Sequence, residues 1–202
     1  MIAIIDYGMG NIHSVRKALD AMGAKTVVTN KAEDIKKAAK VVLPGVGAFG
    51  DAMREIEKQG LSAAVEEHIK AKKIFLGICL GMHMLFESSE EAPQAKGLGI
   101  LKGTVRKFDP QAGLKIPHMG WNQIKIKKIN CPIFKDLKDS SSVYFCHSYY
   151  PQPAQPEIVA ASTEYGLDFA SIIWQDNIFA MQFHPEKSQA TGLKILENFV
   201  RL

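Results

Sequence analysis

Three short apolar runs, each ending in a glycine-rich turn, constrain this chain more than any other feature. "MIAII" runs into "DYGMGN" (6–11), "VVL" (41–43) into "PGVGAFG", and "KIFLGI" into "CLG". The spans between and after them have helical periodicity. Ile12, Val15, Leu19 and Met22 recur on one face, with Asn11 at the N-cap position, and Leu61, Ala64, Val65, His68 and Ile69 form another such face. "LGMHMLFES" begins a further helix. Strands that are apolar without polar alternation, interleaved with helices, predict a parallel sheet covered on both faces.

The second half has a different rhythm. "QIKIKKI" (123–129) alternates as a half-exposed strand does, and "SVYFCHSYY", "EIVAAST", "FASIIWQ" and "NIFAMQF" follow as strand candidates in close succession. "PQPAQP" (151–156) reads as a loop, and Leu193, Leu196, Phe199 and Val200 mark a closing helix. The expected fold class is α/β: a mostly parallel sheet covered by helices on both faces, with an antiparallel extension, in a single domain over residues 1–202.

Composition excludes several classes of function. The net charge of +4 is spread over scattered lysines, and doublets such as Lys36-Lys37 read as solvated faces, so no nucleic-acid partner is expected. The first apolar run is too short for a signal peptide, and no run approaches the ~18 apolar residues of a membrane span, so no membrane partner is expected. Three cysteines (79, 131 and 146) without CxxC spacing argue against a disulfide framework or a zinc site, and fit a reducing cytoplasm.

A buried strand, then "GICLG", then a helix is the pattern of a nucleophile elbow, which would lift Cys79 above the sheet. A helix N-terminus behind the thiol would favour the thiolate. Cys79 alone fits equally a small core residue at a strand end. A thiol nucleophile needs a base and the base an orienting group. "MQFHPEKS" supplies His184 and Glu186, which point to one side in extended chain. Taken alone, the same residues read as a surface turn. The glycines of "LPGVGAFG" (43–50) suit close approach of backbone N–H groups to a ligand, as in an oxyanion hole with Leu80 N–H as second donor. "FCHSYYP" (145–151) reads as a pocket wall or as a strand end with a core histidine.

In combination and order, "PGVGAFG", "GICLGMHMLFE", "CHSYYP" and "FHPEKS" resemble the class I (Cys-His-Glu) glutamine amidotransferases over essentially the whole chain. "DYGMGN" and "PHMGWN" (117–122) are similar to the glutaminase subunits of imidazole glycerol phosphate synthases. The resemblance implies Cys79 as nucleophile on the side-chain amide of glutamine, His184 as its base and acid, and Glu186 as the orienting carboxylate. It implies Val46 and Leu80 N–H groups as oxyanion donors, and Gly47, Glu91, Ser148 and Tyr149 as glutamine contacts. It places Met9, Asn11, Trp121, Tyr144 and Lys187 at the interface or gate toward a (β/α)8 cyclase subunit, the heterodimer partner that receives the ammonia. It implies no metal and no organic cofactor. An intact triad and the "HPE" spacing set the chain apart from a non-catalytic binding subunit and from cysteine peptidases. A paralogous subunit feeding ammonia to another synthase, such as a sugar-modifying one, is the alternative within the class.

One position departs from the pattern. The family usually reads "GMQ" after the nucleophile motif, and here a histidine, His83, stands in the place of that substrate-contacting glutamine. An imidazole lacks the paired donor and acceptor of an amide, so weaker glutamine binding is expected.

Overall fold

A computed structural model describes residues 1–109 and 113–202. The first half alternates strand and helix: β1 (Ile2–Ile5), α1 (Ile12–Ala21), β2 (Thr26–Thr29), α2 (Ala32–Lys37), β3 (Lys40–Gly45), α3 (Phe49–Lys58), α4 (Leu61–Lys70), β4 (Ile74–Cys79) and α5 (Leu80–His83). The second half is strand-rich: β5 (Ser88–Ser89), β6 (Gly103–Lys107), β7 (His118–Gln123), β8 (Lys125–Ile126), β9 (Ser142–His147), β10 (Tyr149–Pro153), β11 (Val159–Glu164), β12 (Asp168–Gln175) and β13 (Ile178–Met181). Helix α6 (Gln189–Arg201) closes the fold.

The main sheet has the order β2-β1-β3-β4-β13-β12-β11-β8. Strands β2, β1, β3, β4 and β13 run parallel, and β12, β11 and β8 extend the sheet in antiparallel fashion. Alternate residues of the central strands feed two cores. Ala3, Ile5, Val41, Leu43 and Phe75 pack with Ile35 of α2, Met53 and Ile56 of α3, and Val65 of α4. Ile2, Ile4, Val42, Leu76 and Ile78 pack on the opposite face with Val15 and Leu19 of α1 and Leu196 and Phe199 of α6. Burial of both faces is the reason these strands show no polar alternation. No helix among the described residues is long and apolar enough to cross a membrane.

Three local expectations differ from what forms. The helix after Cys79 is a single turn, Leu80–His83. The carbonyls of Met84, Leu85 and Phe86 accept instead from the N–H groups of Leu98, Leu101 and Gly99, at 2.8, 2.9 and 3.2 Å, so a returning loop takes the bonds that would propagate the helix. "PQPAQP" is not wholly a loop, because Pro151–Pro153 belong to β10, paired antiparallel with β6. That strand lies at the edge of its three-stranded sheet, where a missing N–H is tolerated. "QIKIKKI" is not one strand: Gln123 ends β7, only Lys125 and Ile126 form β8, and Ile129 beyond them is exposed. Asn11 does precede α1, yet its side chain makes no capping bond.

Candidate active site

The carboxyl ends of β3, β4 and β13 lie side by side, with Gly45 paired to Cys79 and Ile78 to both Pro44 and Met181. Their exit turns therefore converge on one cleft. Cys79 ends β4 with φ 54° and ψ −110°, a conformation that non-glycine residues rarely adopt. The chain reverses so tightly there that a Cβ on Gly81 would stand 1.9 Å from the Leu43 carbonyl oxygen of β3. Gly45 is similarly confined, since a Cβ there would lie 2.5 Å from the Tyr7 hydroxyl and 2.9 Å from Leu80 Cβ. The glycines are thus required by neighbouring chain at close range, and β4, which ends in the strained cysteine, is held between β3 and β13.

His184 follows β13 and is clamped by its backbone. Its N–H donates to the Tyr144 carbonyl at 3.0 Å. Ser188 Oγ donates to the His184 carbonyl at 2.7 Å and accepts the Tyr144 N–H at 2.9 Å. The turn Pro185–Lys187 brings Glu186 round so that its Oε1 lies 2.9 Å from His184 Nδ1. Both side chains are almost wholly buried. Burial by itself lowers the His184 pKa, but contact with the Cys79 thiol and then with Glu186 outweighs it and raises the group to about 10. That balance favours the imidazolium form of His184. Helix α5 is one turn long, so little helix dipole is directed at Cys79.

The cleft above these groups has a volume of about 310 Å³ and is lined in part by Val46, Gly47, Leu80, His83, Glu91, Ser148, Tyr149 and Lys187. All the oxyanion and glutamine-contact residues expected from the sequence therefore meet around Cys79 and His184. Glu91 has a second duty, because its Oε2 accepts the N–H of Phe49, the first residue of α3, at 2.9 Å. His83 reaches the cleft, but its Nε2 is occupied by Gln182 Oε1 at 2.7 Å. Burial pushes His83 down to about 4, against the opposing effect of that hydrogen bond, so the ring is neutral.

The expected gate residues are more dispersed. Met9 packs against Gly47 at the cleft mouth. Trp121 is 50% exposed on β7 and meets Tyr144 of β9 edge-on, with ring centroids 6.1 Å apart. Lys187 is exposed at the rim. Asn11 stands at the head of α1, where its carbonyl accepts the Val15 N–H at 3.2 Å, and none of its hydrogen bonds joins it to the cleft.

The site also contains residues that sequence reasoning missed. Gln182 is fully buried, and its Nε2 donates toward Cys79 Sγ at 4.0 Å while its Oε1 holds His83. The signal was present: Gln182 precedes His184 by two residues, so it shares a side with His184 and Glu186 in extended chain. Pro117 adds to the cleft wall, whereas Cys146 and His147 line it as the pocket-wall reading of "FCHSYYP" expected. Tyr7, from "DYGMGN", is fully buried, and its hydroxyl finds no hydrogen-bond partner among the described residues. No group of three or more His, Cys, Asp or Glu side chains among the described residues is placed to hold a metal ion.

Comparison with known proteins agrees with this geometry. The family profile described as glutamine amidotransferase class-I matches residues 3–202. The imidazole glycerol phosphate synthase subunit HisH of Gloeobacter violaceus is 48% identical over 200 residues, covering 98% of this chain and 88% of that protein. The HisH subunit of a Cyanothece species is 50% identical over 201 residues, covering 99% and 95%. Among solved structures, a glutamine amidotransferase superposes with a TM-score of 0.77 at 17% identity, covering 99% of this chain and 98% of that one. The glutaminase domain of Trypanosoma brucei CTPS, solved with acivicin bound, superposes with a TM-score of 0.70 at 15% identity, covering 99% and 93%. At such identities these two structures speak for the fold alone. With a family profile spanning almost every residue and relatives about half identical from end to end, the chain belongs to the class-I glutamine amidotransferases, in the branch of the HisH subunits of imidazole glycerol phosphate synthase.

Proposed function

We propose that this chain, as one domain, hydrolyses glutamine to glutamate and ammonia and delivers the ammonia to a (β/α)8 cyclase subunit in the cytoplasm. The observation that carries the reading is the buried Cys79–His184–Glu186 array at the strand ends, at the floor of a cleft sized for a small amino acid. The Cys79 thiolate attacks the side-chain amide carbon of glutamine. The carbonyl oxygen becomes an oxyanion facing the N–H groups of Val46 and Leu80. His184 gives its proton to the amide nitrogen, the C–N bond breaks, and ammonia leaves. Water, giving a proton to His184, then attacks the thioester; the C–S bond breaks, glutamate departs and the thiolate–imidazolium pair is restored. Glu186 holds the His184 Nδ1–H and stabilises the imidazolium.

Gly47, Glu91, Ser148 and Tyr149 line the cleft as glutamine contacts, and His83 contributes through its remaining ring nitrogen. The partner-facing side carries exposed Trp121 and Lys187, together with Met9, Asn11 and Tyr144. Docking there would place the cleft against the cyclase, make the heterodimer the working unit, and let ammonia pass between subunits into the lyase step that forms the imidazole ring. The Gly45–Val46 peptide is the switch in this reading, because turning its N–H into the cleft supplies one oxyanion donor.

The test is glutamine hydrolysis by the chain with and without the cyclase and its nucleotide ligand, for wild type and Cys79→Ala. Loss of hydrolysis in a folded Cys79→Ala chain that still supports synthesis from added ammonia is expected. Retained turnover in that variant would overturn the assignment of the nucleophile.

A further inference from the structure

Beside the triad lies a second, largely buried array, built from residues to which the proposed chemistry gives no role: His118 and Asn122 of "PHMGWN" and His147 of "CHSYYP". Every link is short. Asn122 Nδ2 lies 3.3 Å from His118 Nε2, His118 Nδ1 lies 2.9 Å from His147 Nε2, and His147 Nδ1 lies 2.8 Å from the Tyr149 carbonyl oxygen.

The ends of this chain dictate its direction. The Tyr149 carbonyl only accepts, so His147 must carry its proton on Nδ1, which leaves Nε2 as an acceptor. His118 must then donate from Nδ1, and its Nε2 must accept from Asn122. The amide of Asn122 is itself oriented by backbone. Its Nδ2 donates to the Glu164 carbonyl at 2.9 Å, and its Oδ1 accepts the Gln123 N–H at 2.8 Å, so flipping it would oppose like groups at both places. Both rings are therefore neutral Nδ1–H tautomers, and a further proton on either would set two donors face to face.

The surroundings hold the rings in this state. His118 is stacked between Tyr165 at 3.9 Å and Phe145 at 4.8 Å, and His147 packs on Phe108 and Phe169 at 5.3 and 5.2 Å. Burial lowers His118 to about 4 and His147 well below its usual range, the latter despite its bond to Tyr149.

We propose that Asn122, His118 and His147 form a one-way hydrogen-bond chain that sets the Tyr149 carbonyl and so positions the Ser148–Tyr149 wall of the cleft from strand β7. These are positioning residues, and their assigned effect is on glutamine affinity, which rests on the function proposed above. Because Trp121 lies between His118 and Asn122 in the same strand, the chain also ties that exposed aromatic face to the cleft wall.

Two variants test it in the full chain, assayed with the cyclase subunit. His118→Phe keeps the stacking ring and removes both nitrogens. Asn122→Asp keeps size at a half-buried position but replaces the terminal donor with an acceptor, which reverses the chain and turns the His147 lone pair toward the Tyr149 carbonyl. Each is expected to raise KM for glutamine about three- to tenfold, the worth of one ordering hydrogen bond, with kcat within about twofold of wild type. Nitrogen-15 NMR of labelled histidines reads the tautomers directly and requires no activity. Wild type should show Nδ1–H at both residues, and Asn122→Asp should move the proton to Nε2. An Nε2–H tautomer at His147 in wild type, or unchanged KM in folded Asn122→Asp, would overturn the proposal. A wild-type chain that bears the Nδ1–H tautomers yet does not hydrolyse glutamine would overturn the functional reading while leaving the chain itself established.

Discussion

Acidification is expected to unfold this protein through its buried imidazoles. His83 and His118 are each held down to about 4 by burial, and His147 well below its ordinary value for the same reason. The unfolded chain takes up these protons near the ordinary histidine value of about 6.5. A depressed folded pKa gives stabilisation that is complete above about pH 6.5 and is lost as pH falls toward about 4. At pH 5 the linkage relation gives a loss of about 2 kcal/mol for each of His83 and His118, and His147 acts in the same direction. His83 and His118 together lose about 4 kcal/mol, and His184, held up to about 10, works the other way and offsets about 1 kcal/mol of it between pH 7.5 and 5; the remainder is a large share of the roughly 5–15 kcal/mol of a typical domain. His68 is a weaker contributor, because its ring nitrogens face the Ile35 and Ile74 carbonyls at 3.2 and 3.1 Å, which accept from a protonated ring as well. Surface ion pairs such as Lys36–Glu67, with both side chains more than half exposed, contribute little in this range. The assay is urea unfolding followed by circular dichroism at pH 7.5, 6.5, 5.5 and 5.0. The slope should reach at least about 2 kcal/mol per pH unit below pH 6, and His83→Gln should remove about 1.2 of it. A stability constant to within 1 kcal/mol across this range, or an unaltered slope in His83→Gln, would refute the reasoning.

Other perturbations probe the elbow and its surroundings. Gly81→Ala should fail to fold or lose about 4 kcal/mol or more, judged by soluble yield and melting temperature, because its Cβ would stand 1.9 Å from the Leu43 carbonyl oxygen. Tyr7→Phe should raise the melting temperature, with about 1–3 kcal/mol gained, since it removes a buried hydroxyl that finds no partner among the described residues; a lower melting temperature would show that the hydroxyl is satisfied. Iodoacetamide at pH 7 should label Cys79 far ahead of Cys131, whose thiol burial pushes up to about 12, and His184→Ala should slow labelling of Cys79 at least about tenfold by peptide mass mapping. Gln182→Leu removes the donor toward Cys79 Sγ and the partner of His83, and should lower kcat for glutamine hydrolysis about tenfold with the fold intact by circular dichroism.

Much of this molecule is written in local pattern. Strands β1, β3 and β4 declare themselves because both faces are buried, and an apolar run flanked by glycines has few other fates. Cys79 and the spacing of His184 and Glu186 are equally legible, since a nucleophile elbow and an i, i+2 pair are short-range geometry. What the chain in isolation leaves open is settled by contacts between distant segments. Helix α5 stops after one turn because residues 98–101 take the carbonyls of Met84, Leu85 and Phe86 that would extend it, and Pro151–Pro153 form a strand because β6 offers them a sheet edge. Gln182 reaches Cys79, and Asn122, His118 and His147 fall into line, only once β4 lies beside β13 and β7 beside β9. Such hydrogen bonds join residues up to 103 positions apart, here Gln182 to Cys79, so no local periodicity encodes them. Side-chain chemistry can be read from sequence, but which donor meets which acceptor in a buried cleft is decided by packing.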